Sequence, residues 1–265
     1  MGTIISVANQ KGGVGKTTTA LDIVSFLLSL GKKVCIYDMD AQATFTKRVF
    51  NVSLKNPEEK AIPASVRKKA GEANVLGLFD EDFEGVPFPV KENLWIFGAT
   101  SHISMANTCT DEEVDLFIKN TRAVAQDFDY VIIDCPPMIG SIQFSSLSAS
   151  DFVVVPAKLE KGSAEGMARL FSVVTLCRQK KNPDLKVAGI FLNLVKSPKT
   201  LVQKQMTDEI REIYGELVFN TELKETTKVT EAEYYNQSIL DYSLFDANRI
   251  GVPALMAEIM SKVEA

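Results

Sequence analysis

A glycine-rich stretch between residues 9 and 19 constrains this chain more than any other part of its sequence. It reads Asn9-Gln-Lys-Gly-Gly-Val-Gly-Lys-Thr-Thr-Thr19, after an apolar run typical of a strand and before a run compatible with a helix. Glycines allow tight turns and leave backbone N–H groups bare, and the helix N-terminus adds a dipole that favours anions. A strand, a loop of this composition and a helix, in this order, predict a phosphate-binding loop.

The residue types in this loop indicate a nucleoside triphosphate and a metal ion. We expect Lys16 to contact the β- and γ-phosphates of ATP and the hydroxyl of Thr17 to bind Mg²⁺. The other loop residues predicted to contact the cofactor are Lys11, Gly12, Gly13, Val14, Gly15 and Thr18. The alternative is a glycine-rich turn that binds nothing, which the flanking strand and helix disfavour.

Carboxylates follow two other predicted strands. Asp38 and Asp40 come after the apolar run 33–37, and Asp134 comes after the run 130–133. The carboxyl ends of parallel strands meet at one sheet edge, where a phosphate loop also lies. Asp38 and Asp134 are therefore predicted, with Thr17, to hold Mg²⁺ directly or through water.

Apolar residues at helical spacing alternate along the chain with short apolar runs that predict buried strands. This alternation predicts an α/β fold with a doubly wound, mostly parallel sheet flanked by helices. The 265 residues favour one domain, 1–265, with a variable surface excursion at about 51–93 that is partly helical near 63–79. The other predicted helices are 17–30, 111–127, a helix ending near 181, and 253–263, and the later strands are 94–97, 152–156 and 187–192.

Charge, cysteine content and hydropathy exclude several classes of protein. The net charge of −5 and the isoelectric point near 5.2 lack the signature of a globally basic nucleic-acid binder. Four cysteines without metal-ligand spacing predict reduced thiols, and a single histidine supplies too few ligands for a zinc site. No apolar run reaches the roughly 18 residues of a membrane span. We therefore expect a cytoplasmic protein.

The loop contains a second lysine, Lys11, ahead of its glycines. The string Lys11-Gly-Gly-Val-Gly-Lys-Thr-Thr18 resembles the deviant Walker A box of the ParA/MinD ATPase superfamily, and Asp38–Gln42 and Asp134–Pro137 resemble its other boxes. The resemblance implies a P-loop NTPase whose two subunits close around two Mg·ATP as a homodimer. It implies that Lys11, Lys16 and Asp40 are catalytic, with Lys11 reaching the partner's nucleotide and Asp40 supporting hydrolysis. Asn193, at the end of the 187–192 strand, would contact the adenine edge.

Basic charge is segregated on one late segment. Seven basic residues and one acidic residue lie between Arg178 and Lys204, whereas 205–265 holds five basic and twelve acidic residues. The chain resembles the ParA-like subset, whose members bind DNA non-specifically near this region, so the DNA-binding candidates are Lys196, Lys199 and Lys204. The resemblance implies an ATP hydrolase that drives partition of plasmid or chromosomal DNA with a ParB-like stimulating protein, and that associates with the nucleoid when ATP-bound.

Two other functions stay open within the same superfamily. One is an ATPase that positions a protein cargo rather than DNA. The other is a metal-cluster or redox relative, for which Cys135 is the candidate ligand. A membrane-bound relative is disfavoured, because the last predicted helix carries only Lys262 as a basic residue and membrane-surface helices carry several.

Overall fold

The computed structural model describes residues 1–50 and 73–265, and the bounds below refer to this part of the chain. The strands are β1 (Thr3–Val7), β2 (Val34–Asp38), β3 (Phe88–Lys91), β4 (Leu94–Phe97), β5 (Tyr130–Asp134), β6 (Phe152–Lys158), β7 (Lys186–Val195) and β8 (Val218–Lys224). They form one sheet in the order β3-β4-β2-β5-β1-β6-β7-β8. Every neighbouring pair is parallel except β3 with β4. The predicted α/β fold with a doubly wound, mostly parallel sheet is confirmed.

Helices connect most of the strands. They are α1 (Lys16–Ser29), α2 (Thr44–Val49), α3 (Asp111–Val124), α4 (Ser141–Ala149), α5 (Ser163–Lys180), α6 (Leu201–Tyr214), α7 (Thr227–Tyr234), α8 (Ile239–Tyr242), α9 (Leu244–Ile250) and α10 (Val252–Val263). The predicted helix over 111–127 ends earlier as an α-helix and continues as a 3-10 turn over Ala125–Asp127. The strand predicted over 187–192 runs on to Val195, because β7 pairs with both β6 and β8.

The excursion predicted at about 51–93 lies partly outside the described residues. Of the helix predicted near 63–79, the described part is a short 3-10 helix over Val75–Phe79. The excursion ends in the antiparallel edge strand β3, which carries Pro89. Proline has no backbone N–H, so an edge strand, with one side unpaired, accommodates it most easily.

Both faces of the sheet are buried under helices. Along β5, Val131 and Ile133 face one apolar core, which α3 and α5 cover, while Tyr130 and Ile132 face the other. The second core is closed by α1 and α10. A strand buried on both faces needs apolar residues at every position, and this explains the unbroken apolar run that ends at Asp134.

Candidate nucleotide-binding site

The glycine-rich loop lies where the strand order reverses, because β1 pairs with β5 on one side and with β6 on the other. Open α/β sheets bind ligands at such a point, outside the carboxyl ends of the strands. Gly13 has φ +69° and Gly15 has φ +91°, a conformation that glycine adopts without strain. A Cβ on Gly15 would lie 2.4 Å from Nδ2 of Asn193. The loop therefore needs glycine here for both its turn and its close packing.

Lys16 begins α1 with its side chain pointing back into the loop. The residue is 8% exposed, and its ammonium donates to the carbonyl oxygen of Lys11 at 3.0 Å. Burial lowers the pKa of Lys16, and attraction by Asp134 offsets this in part. A cation with little water around it, beside bare loop amides, is suited to receive an anionic group.

Thr17 and Asp134 meet at the carboxyl edge of β5. The Thr17 hydroxyl donates to Oδ2 of Asp134 at 2.7 Å, while the other oxygen, Oδ1, is buried without a hydrogen-bond partner among the described residues. Burial raises the pKa of Asp134 to about 8, and repulsion from Asp38 adds to the rise. An orphaned carboxylate oxygen beside a hydroxyl fits a hard cation such as Mg²⁺, which prefers oxygen ligands. These two residues would hold it.

Asp38 lies opposite Asp134 in the register of β2 and β5. It is fully buried, and its Oδ2 accepts from the backbone N–H of Thr46 at 2.8 Å and from the Thr46 hydroxyl at 2.7 Å. Its Oδ1 accepts from the backbone N–H of Asp40 at 3.2 Å. Burial raises the pKa of Asp38 to about 6. Asp38 thus organises the turn into α2, and its predicted role as a metal ligand stays a prediction.

Asp40 is half-buried and lines the same pocket as the glycine-rich loop. Its Oδ1 accepts from the backbone N–H of Gln42 at 2.9 Å, which holds the carboxylate at the start of the turn. It therefore lies in the same pocket as the loop predicted to bind phosphate, and its catalytic role stays a prediction.

Lys11 is held within its own chain by contacts that the sequence did not indicate. Its ammonium lies 2.9 Å from Oε1 of Glu160 and donates to the carbonyl oxygen of Lys161 at 2.7 Å. Glu160 also pairs with Lys158 at 2.8 Å, and these lysines lower the pKa of its carboxyl. The loop between β6 and α5 therefore holds Lys11 in this conformation.

Asn193 lies within β7 and faces the glycine-rich loop rather than terminating the strand. Its Nδ2 donates to the carbonyl oxygen of Val14 at 2.8 Å, and its Oδ1 accepts from the backbone N–H of Leu194 at 2.9 Å. The side chain is thus fixed against the loop, and contact with an adenine edge stays a prediction.

The pocket around the loop has a volume of about 430 Å³ and includes residues that the sequence analysis missed. The hydroxyl of Thr18 donates to Oε1 of Glu233 at 2.6 Å, and Arg48 forms an ion pair with the same oxygen at 2.8 Å. Asp22 is buried below them, and burial raises its pKa to about 7. The sequence could have indicated Asp22, because an acidic residue on the buried face of a predicted helix is unusual. No sequence pattern indicates that positions 48 and 233 are in contact.

The basic segment is not uniformly available to a ligand. Lys196 and Lys204 are exposed, whereas Lys199 is ion-paired with Glu222 at 2.7 Å. Lys196 and Lys199 lie in the connection between β7 and α6, and Lys204 lies within α6. Their contacts with DNA stay a prediction.

Cys135, the candidate ligand of a metal cluster, is buried, and burial raises the pKa of its thiol to about 12. Over residues 1–50 and 73–265, no group of three or more His, Cys, Asp or Glu side chains could hold a metal ion. In the same ranges, no helix is both long and apolar enough to span a bilayer.

This fold and this loop together define a P-loop NTPase of the α/β class. A family model described as an AAA domain matches residues 2–187, which is most of the chain, and the chain belongs to that family. The resemblance to Soj/ParA partition ATPases is also confirmed. The chain is 29% identical over 248 residues to the sporulation initiation inhibitor protein Soj of Bacillus subtilis, covering 91% of this chain and 92% of that protein.

Solved structures with the same fold span nearly the whole chain. The structure of apo McdA from Cyanothece covers 99% of this chain and all of that one, with a TM-score of 0.80 and 18% identity. Cobyrinic acid a,c-diamide synthase from Mycobacterium smegmatis, solved with bound ADP and magnesium, covers 95% of this chain and 97% of its own, with a TM-score of 0.69 and 26% identity. The first likeness concerns the fold alone.

Proposed function

We propose that this chain is a Mg²⁺-dependent ATP hydrolase that closes as a homodimer around two nucleotides and, in that state, binds DNA non-specifically. With a ParB-like protein that stimulates hydrolysis, it would segregate plasmid or chromosomal DNA in the cytoplasm, associated with the nucleoid while ATP is bound. The observation that carries the proposal is a single glycine-rich loop that contains Lys11, turns the buried Lys16 ammonium back into the loop and brings Thr17 to 2.7 Å from Asp134.

ATP would bind with its phosphates against the loop. Amides of Gly12, Gly13 and Gly15 and the ammonium of Lys16 would hold the phosphate oxygens, and Thr17 with Asp134 would hold Mg²⁺. The bound metal ion neutralises phosphate charge. A cation at the orphaned Oδ1 of Asp134 would also offset the burial of that carboxylate.

Lys11 and Asp40 carry the hydrolytic step in this proposal. Lys11 of one protomer would leave Glu160 and stabilise charge that develops on the γ-phosphate in the partner's site, as arginine fingers do in other phosphoryl-transfer enzymes. Asp40 would help to orient the attacking water. Slow hydrolysis then limits the lifetime of the DNA-bound dimer.

DNA would bind through phosphate contacts with exposed lysines, of which Lys196 and Lys204 are the candidates in the basic segment. Contacts of this kind do not depend on sequence and weaken as salt rises. One dimer would contribute two such segments.

Sedimentation of the purified protein with ADP, with ATP, and with ATP plus plasmid DNA, at low and high salt, tests the proposal. We expect a dimer with ATP alone and co-sedimentation of that dimer with DNA at low salt only. Lys16→Ala is the control, since it should stay monomeric in every condition. A dimer that ignores DNA at all salt concentrations would overturn the DNA step and favour a protein cargo, and a chain that ATP leaves unchanged would overturn the whole proposal.

A further inference from the structure

An ion pair joins two segments across the nucleotide pocket. Arg48, on α2, and Glu233, on α7, meet through Nη2 and Oε1 at 2.8 Å. The hydroxyl of Thr18 donates to the same Oε1 at 2.6 Å, which connects this pair to the first turn of α1. All three residues line the pocket.

The pair retains unused hydrogen-bonding capacity. Nη1 of Arg48 is buried and has no hydrogen-bond partner among the described residues. A carboxylate has about four acceptor positions, and Oε1 of Glu233 uses two of them, for Thr18 and Arg48. A buried donor without a partner costs free energy, which a ligand with a matching acceptor would recover.

A hydroxyl group is the ligand that best matches a donor beside an acceptor. It donates one hydrogen bond and accepts others, so it can give its proton to Glu233 while its oxygen accepts from Nη1 of Arg48. A phosphate oxygen matches less well, because it is an anion and would lie beside the carboxylate of Glu233.

The position of the Arg48–Glu233 pair relative to the phosphate loop indicates which hydroxyl groups of a nucleotide could reach it. In loops of this kind the lysine reaches the β- and γ-phosphates, and backbone N–H groups hold the α- and β-phosphates. Glu233 lies 2.6 Å from the hydroxyl of Thr18, on the first turn of the helix that follows the loop, so in the proposed site it would lie beyond the α-phosphate. In a nucleotide, the next group in that direction is the sugar.

We propose that Arg48 and Glu233 form a specificity pair that recognises the ribose hydroxyls of the bound nucleotide. This inference rests on the proposed nucleotide-binding function and adds to it the sugar preference of the site. Glu233 accepts from a ribose hydroxyl, Arg48 donates through Nη1 to the same oxygen, and the ion pair between them keeps both groups oriented. The site therefore discriminates against nucleotides that lack this hydroxyl.

Equilibrium binding of ADP, 2′-deoxy-ADP, 3′-deoxy-ADP and GDP with Mg²⁺ tests the proposal without hydrolysis. For the unaltered protein we expect at least one deoxynucleotide to bind about tenfold more weakly than ADP, since a hydrogen bond to a charged group is lost. Glu233→Gln should reduce that ratio to about twofold or less. Arg48→Lys, which keeps the charge and removes the Nη1 donor, should reduce it as well.

Glu231→Gln is the matched control. Glu231 lies on the same helix but pairs with Lys228 and with the hydroxyl of Tyr242, so the ratio should stay as in the unaltered protein. Equal binding of ADP and both deoxynucleotides by the unaltered protein would overturn the sugar proposal while leaving the nucleotide site intact. The sugar proposal would also be overturned if Glu233→Gln altered only the ratio of ADP to GDP affinity, because the pair would then recognise the base. Failure to bind any of these nucleotides would instead overturn the proposed function.

Discussion

The ammonium of Lys11 lies 2.9 Å from the carboxylate of Glu160 in its own chain. If Lys11 acts in the partner's site, this ion pair must break before the dimer closes. Glu160→Gln should therefore strengthen ATP-dependent dimerisation, by about two- to fivefold in the dimer dissociation constant, because ion pairs at partly exposed positions contribute about 0.2–1 kcal/mol. Analytical ultracentrifugation with ATP measures this.

Glu165→Gln provides the comparison for that experiment. Glu165 is an exposed acid near the same loop, 3.8 Å from Arg169, and does not contact Lys11. A weaker dimer in Glu160→Gln than in Glu165→Gln would mean that Glu160 supports closure instead of opposing it.

The two loop lysines should separate binding from hydrolysis. Lys16→Ala removes the ammonium beside the phosphate cradle, so we expect ADP and ATP binding to fall by a hundredfold or more, on the order of 3 kcal/mol for a charged contact. Lys11→Ala should change ADP binding by about threefold at most and impair hydrolysis in the dimer. Titration calorimetry and phosphate release measure the two effects, and equal loss of ADP binding in both variants contradicts the role given to Lys11.

The buried carboxyls make stability depend on pH. Burial raises the pKa of Asp134 to about 8, of Asp22 to about 7 and of Asp38 to about 6. Between pH 4 and 8 the folded chain thus binds more protons than the unfolded chain, whose aspartates titrate near 4. The free energy of unfolding of the nucleotide-free protein should therefore fall as pH rises through this window. Denaturant titrations from pH 5 to 8 would show the slope.

Asp134→Asn isolates one of these carboxyls. Asparagine has no proton to lose, so the fall in stability should become shallower, by up to about 1.4 kcal/mol per pH unit. Asp208→Asn, which alters an exposed carboxylate on α6, should leave the slope unchanged. Equal slopes in Asp134→Asn and the unaltered protein would show that Asp134 ionises normally in the folded chain.

Gly15→Ala tests the geometry of the loop. The added methyl group would lie 2.4 Å from Nδ2 of Asn193 at a residue with φ +91°, so both the backbone and the packing oppose it. We expect nucleotide binding to be lost and the free energy of unfolding to fall by about 1–3 kcal/mol. Gly12→Ala should destabilise much less, because its Cβ would have no atom within 4 Å in the described structure. Thermal unfolding and ADP titration compare the two.

The three lysines predicted to contact DNA should differ in their effect on DNA binding. Lys196→Ala and Lys204→Ala should each weaken DNA binding at all sequences and lower the slope against log salt by about 1. Lys199→Ala should do less, because Lys199 is already paired with Glu222. Lys119→Ala, an exposed lysine on α3, is the reference. Fluorescence anisotropy at several salt concentrations gives each slope, and identical slopes in all four variants would remove the segment as the DNA site.

The central part of this fold could be predicted because local signals and topology agree there. An unbroken apolar run predicts a doubly buried strand, and the rule that parallel strands end at one edge predicts that Asp38 and Asp134 lie together. They are paired in the register of β2 and β5. The residues predicted to bind phosphate are adjacent in the glycine-rich loop, so this loop could be identified without knowledge of long-range contacts.

Contacts between distant segments could not be predicted in this way. Arg48 and Glu233 lie on short helices that are far apart in the sequence, and no pattern near either residue indicates the other. The same holds for Lys11 and Glu160, which lie in two different loops and meet through an ion pair. Asn193 was predicted at the end of a strand with its amide toward an adenine edge, and its hydrogen bond to the carbonyl oxygen of Val14 is a further long-range contact that the sequence did not indicate.

The two edges of the sheet limit how this protein can assemble. At one edge, Pro89 of β3 has no N–H to offer to an incoming strand. At the other, Glu258 of α10 accepts hydrogen bonds from the outward backbone N–H groups of Asn220 and Thr221 in β8, at 2.9 Å and 3.0 Å. In the described part of the chain, both edges therefore offer an incoming strand an incomplete set of hydrogen-bonding groups, which disfavours polymerisation by extension of the sheet. Contacts between helices and loops are the more favourable basis for a filament.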